Sequence, residues 1–441
     1  MRAVVRYVLT AAPEPDRMDV ITTALTAAIA DAGTGAAYTM LKSRLTGKSP
    51  RVDEAISDLE QDPGSLSRQF AVSDALAAAG LAGDRYLRAA ARNLVEEVDR
   101  RRTLRPVTDL PGGVLQVFFT TDRQPTGDRH PARQFGAARG EISYGTCEVA
   151  IRRSAGSEEP ALPTLLRPQS RHDPDGHAVL LRSDIELQAA YFSKLADTIA
   201  HCPANSALLF VHGFRVSFED AARRTAQIAS DLRFAGVPIF YSWPSQGRLS
   251  GYAVDETNVE WTLPRLTSFL IGLLERTQVA HVYLLGHGMG SRALARAVAD
   301  VTAARPDLAP RMRELILAAP DVEAEAFRRD IAPALTAAGG RVTLYASSGD
   351  DALQVAQRTR PYPRAGDSGD ALVVAPGVQT IDASIVDTSL IRAAPDTAQR
   401  SALADMRLLI SRHLPPSQRA GLQAVDIPAG RYWTFNEQEI P

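Results

Sequence analysis

Two segments of the chain combine residue types and spacing that suit acyl-transfer chemistry. Residues 208–214 read LLFVHGF, and residues 283–291 read YLLGHGMGS. Enzymes that transfer acyl groups through a serine carry that serine at the centre of the second pattern, on a sharp strand-to-helix turn. Two backbone N–H groups then bind the oxyanion, one from the first segment and one from the residue after the nucleophile. The predicted oxyanion residues are Phe214 and Met289, and the predicted pocket residues are His212 and His287.

The centre of the second segment is Gly288, which has no side-chain atom. This position therefore cannot attack a carbonyl carbon, although the flanking Gly286 and Gly290 still allow a tight turn. Loss of a nucleophile typically lowers the rate by several orders of magnitude, and only binding and oxyanion stabilisation remain. The sequence thus predicts a hydrolase-like turn without its reactive group.

The segments that must position these residues alternate between short apolar strands and amphipathic helices. Strands are predicted at residues 114–119, 146–151, 177–181, 207–211, 238–241, 281–285, 314–318 and 341–346. Helices are predicted at residues 218–235, 259–276, 292–303, 323–337 and 401–410. The first of these helices begins at a capping-box spacing, Ser217 to Asp220, and is expected to stop at Gly236. This alternation predicts an α/β domain with a mainly parallel sheet covered on both faces.

The first part of the chain has a different texture, rich in alanine, leucine and charge. Apolar residues recur three and four apart, which predicts helices at residues 20–32, 52–61, 67–79 and 84–101, after a short strand at 4–9. We expect a small helical domain at residues 1–105 and the α/β domain at residues 106–441. The helical domain carries no catalytic constellation, and we expect it to contact a protein partner.

Composition narrows the classes of partner and compartment. The net charge of -2 gives no bulk attraction to nucleic acid or acidic membranes. Cys147 and Cys202 are the only two cysteines, as suits a reducing cytosol, and we expect a cytoplasmic protein without a membrane span. The eight histidines lack metal-ligand spacing, and His172 and His177 are read as part of a polar loop, so no metal or cofactor is expected. We expect the chain to bind a small molecule or a protein of unknown identity.

Beyond these patterns, the chain over about residues 112–440 resembles a bacterial α/β-hydrolase family of unknown function. The segments that carry the resemblance are residues 118–123 (FFTTDR), 140–145 (GEISYG), 210–218 (FVHGFRVSF), 240–245 (FYSWPS), 318–322 (AAPDV) and 344–350 (LYASSGD). Their order and spacing agree with the family. The resemblance implies an α/β-hydrolase fold, but a fold alone does not assign a function.

The resemblance also implies where a catalytic triad belongs. Family members generally read His-Ser-Met-Gly at the turn where this chain has Gly288, and their acidic member corresponds to Asp350. Their catalytic histidine follows Val-Asp-Thr-Ser-Leu within Leu-Gly-His-Ser-Tyr. Here residues 386–390 (VDTSL) are followed by IRAAP, so Ala393 occupies the histidine position. Two of the three triad positions are therefore degenerate, and alanine cannot accept a proton.

Three functional hypotheses follow. The first is a pseudohydrolase with a binding, scaffolding or regulatory role. The second is an active esterase-type hydrolase that has recruited Ser291 or His413 in place of the lost groups. The third is a structural role, in which the helical domain tethers the chain to an assembly and the hydrolase-like domain acts as a spacer.

Overall fold

A computed structural model describes residues 19–30, 36–62, 65–103, 113–151, 178–337, 339–347, 362–384 and 399–436. Contacts divide the chain into two compact units, residues 1–100 and residues 101–441. The predicted strand at residues 4–9 lies outside the described residues. The predicted boundary at residue 105 stays a prediction.

The first unit is helical. Its helices are α1 (Val20–Ala30), α2 (Ala36–Leu45), α3 (Pro50–Gln61), α4 (Leu66–Ala78) and α5 (Arg85–Thr103). Their apolar faces share one core that includes Leu25, Leu41, Leu59, Leu76 and Leu94. Sequence periodicity did not predict α2, because its apolar residues are separated by Thr39, Lys42, Ser43 and Arg44.

The second unit is built on an eleven-stranded sheet. The strands are β1 (Val114–Pro125), β2 (Phe135–Ile151), β3 (Ala178–Glu186), β4 (Ser206–Val211), β5 (Val237–Ser242), β6 (His281–His287), β7 (Met312–Ala318), β8 (Arg341–Ala346), β9 (Val378–Asp382), β10 (Leu422–Ile427) and β11 (Gly430–Phe435). Their order across the sheet is β10-β11-β9-β8-β7-β6-β4-β5-β1-β2-β3. All pairs from β11 to β1 are parallel, and the outer pairs β10–β11, β1–β2 and β2–β3 are antiparallel. The predicted mainly parallel sheet is confirmed.

Helices connect and cover these strands. They are α6 (Gln188–His201), α7 (Phe218–Asp231), α8 (Tyr252–Arg276), α9 (Met289–Ala304), α10 (Ala324–Ala326), α11 (Ala332–Ala337) and α12 (Gln399–Arg412), with a π-helical turn at Phe327–Ile331 between α10 and α11. Short 3-10 turns occupy Pro131–Arg133, Leu249–Gly251, Ala309–Arg311, Gly369–Ala371 and Pro416–Gln418. Strands β4 and β5 are buried at every position, as expected for parallel strands covered on both faces.

The sheet reverses its strand order beside β4. Because β4 lies between β5 and β6, the connections leaving β4 and β5 run to opposite sides. Ligands of open α/β sheets bind outside the carboxyl ends of strands at such a reversal. Both chemically suggestive segments, residues 208–214 and 283–291, end there, so the topology brings them to one crevice edge.

Several predicted helix boundaries are wrong. Helix α8 begins at Tyr252 rather than at residue 259, and α9 begins at Met289 rather than at residue 292. The capping box at Ser217 and Asp220 is confirmed, but α7 ends at Asp231 rather than at Gly236. Arg233 has a φ of 47° and ends the helix with a left-handed turn that the sequence pattern assigned to the glycine. Gly236 is needed for a different reason, since a Cβ there would lie 2.3 Å from the backbone oxygen of Ser206.

Candidate functional site

The strand-to-helix turn at Gly288 has the backbone geometry of a nucleophile elbow, which would strain a residue with a Cβ. Strand β6 ends at His287, α9 begins at Met289, and Gly288 between them has a φ of 52° and a ψ of -119°. Residues with a Cβ rarely adopt this conformation, which lies outside even the left-handed helical region. The backbone is fixed by three hydrogen bonds: Gly288 N donates to Ala318 O at 2.9 Å, and Gly288 O accepts from Ser291 N and Asp321 N, each at 3.1 Å.

The turn after β4 packs directly on this elbow. A Cβ on Gly213 would lie 2.7 Å from His287 Nδ1, and a Cβ on Gly290 would lie 2.2 Å from the backbone oxygen of His212. Only glycine permits both approaches. The structure therefore brings together the segments that carry Phe214 and Met289, and both of these side chains are buried. The role of their N–H groups in oxyanion binding stays a prediction.

His212 is held in a buried polar network below the turn. Its ring stacks on Trp243, with centroids 5.1 Å apart, and its Nδ1 lies 2.9 Å from Gly213 O, so Nδ1 carries the proton. Its Nε2 lies 3.2 Å from Ser242 Oγ and 3.5 Å from Arg123 Nη2. Burial, assisted by the charge of Arg123, holds the pKa of His212 well below its usual value. His212 is therefore a neutral packing residue whose two nitrogens are engaged.

Arg123 organises the loops around this network. The fully buried guanidinium donates to the backbone oxygens of Gly136 (3.1 Å), Val216 (2.6 Å) and Ser245 (3.0 Å). Its Nε donates to Ser242 Oγ at 2.8 Å. Burial lowers the pKa of Arg123 to about 10, so the residue stays cationic at neutral pH. One side chain thus joins β1 to the loop after β4 and the loop after β5.

Ser291, a candidate for a relocated nucleophile, points away from the elbow tip. Its Oγ is 3.4 Å from Ala318 O, to which it donates, and the residue is completely buried. A Cβ on Gly286 would lie 2.6 Å from Ser291 Cα, which places the serine against strand β6 rather than above it.

His413, a candidate for a relocated base, lies toward the other end of β6. Its Nε2 is 3.2 Å from the hydroxyl of Tyr283, and the two rings stack with an interplanar angle of 5°. Tyr283 precedes Gly288 by five strand residues, which is roughly 16 Å at about 3.3 Å per residue. His413 also faces the buried carboxylate of Glu314, with Nδ1 3.7 Å from Oε1. The structure therefore does not bring His413 to the elbow.

Four side chains surround the elbow instead, and we call Phe214, Tyr252, Asp321 and Arg364 the elbow cluster. The Asp321 N–H donates to Gly288 O, and its carboxylate accepts from the Tyr252 hydroxyl at 2.7 Å. The Tyr252 ring meets the Phe214 ring edge-on, with centroids 5.4 Å apart. Arg364 Nε lies 3.2 Å from Asp321 Oδ1, and both side chains are at least nine-tenths buried. The contacts form one connected group that meets the turn through the Asp321 N–H.

The charge pair in the elbow cluster is close but not well aligned. Asp321 Oδ1 and Arg364 Nε make no hydrogen bond with the described part of the chain, although they are 3.2 Å apart. Burial raises the pKa of Asp321 to about 6, while Arg364 and the Tyr252 hydroxyl act in the opposite direction. Asp321 therefore becomes protonated when the pH falls below about 6.

Sequence reasoning assigned roles to Phe214 and His212 but gave none to Arg123, Tyr252, Asp321 and Arg364, which the structure also places here. Asp321 and Arg123 lie in segments quoted for the family resemblance, so a signal was present but was not interpreted. Tyr252 and Arg364 had no signal, since each reaches the elbow through tertiary packing. The predicted acid Asp350 and the predicted histidine position Ala393 lie outside the described residues, so their assignments stay predictions.

In the described ranges, no group of three or more His, Cys, Asp or Glu side chains is arranged to hold a metal ion. None of the helices described in the structure combines the length and the apolar composition that crossing a membrane requires.

Two family models match the chain. Residues 188–368 match "Alpha/beta hydrolase of unknown function (DUF900)", and residues 18–107 match "Het-E N-terminal domain". The first match includes strand β4, the elbow at Gly288 and all four residues of the elbow cluster. No curated protein is similar enough to count as a match.

Solved structures similar to this chain include the esterase Est22, the protein AbyA5 and ESTFA. Esterase Est22 is 12% identical, with 72% of this chain and 88% of that chain covered and a TM-score of 0.28. AbyA5 is 14% identical, with coverages of 87% and 96% and a TM-score of 0.27. The FE-lacking apo form of ESTFA is 10% identical, with coverages of 77% and 98% and a TM-score of 0.27. At these scores the likenesses carry no functional argument, and the fold assignment rests on the sheet order and the family match.

Proposed function

We propose that this chain, whose residues 188–368 match an α/β-hydrolase family of unknown function, is a catalytically silent hydrolase that retains its reaction crevice for binding. The observation that carries the proposal is Gly288, which holds the elbow conformation without a side chain. Acyl transfer by this route requires an oxygen nucleophile and an imidazole base. Neither group is contributed to the elbow by the described residues.

The alternatives within the crevice support the same conclusion. Ser291 Oγ donates to Ala318 O and is buried beneath the turn, so it has no path to a bound carbonyl. Both ring nitrogens of His212 are engaged, Nδ1 by Gly213 O and Nε2 by Ser242 Oγ. His413 pairs with Tyr283 toward the far end of β6. Recruitment of any of these groups would require a rearrangement of buried packing around the sheet.

The experiment is a paired test for covalent labelling and ester hydrolysis. The full chain and a Ser291→Ala variant are treated with a fluorophosphonate probe and, separately, with short p-nitrophenyl esters. We expect no labelling, and hydrolysis equal in both proteins and unaffected by Asp350→Ala. Labelling that disappears in Ser291→Ala, or esterase turnover that is lost in Asp350→Ala, would show an active hydrolase and contradict the proposal.

For the N-terminal unit we propose a protein-contact role. The support is its separate helical core and its match to the Het-E N-terminal domain over residues 18–107. Capture experiments with the full chain and with a deletion of residues 1–102 compare the partners retained. Partners lost with the deletion support the contact role, whereas equal capture by both proteins rejects it.

A further inference from the structure

We infer that one face of helix α8, together with an arginine of strand β2, binds an acidic peptide segment of a partner protein. This surface consists of Arg139 from β2 and Val254, Asn258, Trp261 and Arg265 from α8, and we call it the stacked-arginine surface. The inference goes beyond the proposed function, because the surface excludes the elbow and does not depend on whether the elbow is catalytically silent.

Two guanidinium groups stack on a single indole ring in this surface. The Cζ atom of Arg139 lies 5.1 Å from the ring centroid of Trp261, and the Cζ atom of Arg265 lies 3.8 Å from it. Both positive charges therefore lie within about 9 Å of each other. Arg139 is held further by Asn258, whose Oδ1 accepts from its Nε at 2.7 Å and whose Nδ2 donates to Pro244 O.

The two charges are not neutralised within the described part of the chain. Neither arginine lies within ion-pair distance of a described carboxylate, and the acidic side chains that α8 carries nearby are engaged elsewhere. Asp255 is buried and bonded to the loop after β5. Glu256 and Glu260 pair with Arg292 of α9. Two uncompensated positive charges at this separation favour a ligand with two negative groups.

The arrangement of the arginines suits carboxylates in particular. Stacking on an indole uses the flat face of a guanidinium and leaves its N–H edges available to acceptors. Only the Nε of Arg139 donates to a described residue, so both of its terminal nitrogens remain available. Such edges bind carboxylates through two parallel hydrogen bonds. In an extended peptide, acidic side chains two residues apart point the same way and are separated by about 7 Å, which fits the two charges.

The apolar part of the surface indicates a peptide rather than a small anion. Val254 is 47% exposed and Trp261 is half-buried, and both lie on the helix face of Asn258 and Arg265 because their spacing follows the helical repeat. Residues 254 to 265 span about 16 Å at about 1.5 Å per residue, the length of roughly five residues of extended chain. Tryptophan and arginine also dominate the binding energy of protein interfaces. The net charge of -2 does not favour nucleic acid.

The test titrates the full chain with synthetic six-residue peptides by isothermal titration calorimetry at pH 7.5. Each peptide carries two glutamates two residues apart and a leucine three residues from the nearer glutamate, in both chain directions, and glutamine versions serve as controls. We expect one glutamate peptide to bind at one site per chain, at least fivefold more tightly than its glutamine version. The inference is overturned if neither glutamate peptide binds more tightly than its control.

Variants locate the binding site. Arg139→Gln and Arg265→Gln should each weaken peptide binding at least threefold. Arg276→Gln is the matched control, since Arg276 also stacks over an aromatic ring, that of Phe192 at 4.9 Å, but lies about three turns further along α8. Trp261→Leu should weaken binding, whereas Trp261→Phe keeps an aromatic face and should retain most of the affinity. Equal effects in the test arginines and in Arg276 would reject the surface.

Competitors distinguish the peptide from other anions. Inorganic phosphate, a single-stranded oligonucleotide and phosphatidylserine vesicles should not displace the glutamate peptide at equal concentration, and displacement by any of them would overturn the assignment to a peptide. Circular dichroism checks the folding of each variant, and the comparison of glutamate with glutamine peptides needs no variant. Fluorophosphonate labelling or esterase turnover would reject the silent hydrolase but would leave this surface untouched, so the two failures are distinguishable.

Discussion

Replacement of Gly288 by alanine should expose the conformational strain that a side chain carries at the elbow. With a φ of 52° and a ψ of -119°, the position lies outside the regions that residues with a Cβ normally occupy. Residues held in such regions cost about 1–3 kcal/mol each. An alanine also restricts the unfolded chain, which offsets this cost by about 0.4–1 kcal/mol.

Gly113 provides the matched control for this substitution. Its φ lies outside the left-handed range, and a Cβ there meets nothing within 4 Å. Gly113→Ala therefore restricts the unfolded chain as Gly288→Ala does, but adds no strain to the folded state. The difference between the two variants therefore isolates the strain at Gly288, about 1–3 kcal/mol in unfolding free energy. Alanine adds no polar group, so a change in hydrogen bonding does not enter the comparison.

The assay is urea unfolding followed by tryptophan fluorescence. All three tryptophans, Trp243, Trp261 and Trp433, belong to the second unit, so the signal reports that unit even though the chain contains two. At a denaturant slope of about 3 kcal/mol per molar urea, the midpoints of the two variants should differ by about 0.3–1 M, with Gly288→Ala the less stable. Coincident midpoints would refute the claim that the elbow is strained.

Three further outcomes are expected. Asp231 ends α7 with a buried Oδ2 that has no hydrogen bond in the described chain, and burial raises its pKa to about 9. The folded state therefore binds the proton of the Asp231 carboxyl more tightly than the unfolded state. The stability that this protonation gives is complete below pH 4 and is lost as the pH rises toward 9. At pH 8, Asp231→Asn should consequently increase the free energy of unfolding by about 1–3 kcal/mol and so raise the urea midpoint. At pH 4 it should change neither quantity. In the same titration, Arg123→Met should lower the free energy of unfolding by about 3–5 kcal/mol, because buried carbonyl oxygens lose their donor. Arg431→Met, in an exposed pair, should change it by less than about 1 kcal/mol. Gly288→Ser alone should not hydrolyse p-nitrophenyl esters, and activity is expected only when Ala393→His supplies the base as well.

The fold was predictable because its signals are local or periodic. Buried strands such as β4 and β6 are short apolar runs, and the capping box at Ser217 marks the start of α7. Their alternation with helices implies a parallel sheet by general packing rules. The flanking Gly286 and Gly290 predicted a tight turn from the sequence, whereas the close approaches at Gly213 and Gly290 are seen only in the structure.

The unpredicted strands lacked these signals. In β10 every residue is at least partly exposed, so no buried face generated an alternating pattern. The first half of β2 is likewise partly exposed and contains Gly136 and Gly140, which weaken a strand pattern. Strand β9 has only five residues. Pairing with neighbours that are distant in sequence, rather than local preference, creates these strands.

The site was only half predictable for a related reason. The sequence motif itself predicts where the elbow lies in the chain. Most of the elbow cluster, however, comes from α8, the loop after β7 and the segment after residue 361. Tyr252 reaches Asp321 across 69 residues of sequence, and no periodic pattern encodes such a contact. The same applies to Arg123, which contacts the loop at Val216.

The retained elbow geometry connects these observations to function. A serine at residue 288 would have to occupy a strained conformation, and that strain is justified only when a reactive oxygen must project from the turn. Glycine forms the same turn without this strain, and the helix still begins at Met289. Under the proposed function, the turn keeps its backbone N–H donors although residue 288 offers no side-chain oxygen, because these donors belong to the backbone of α9.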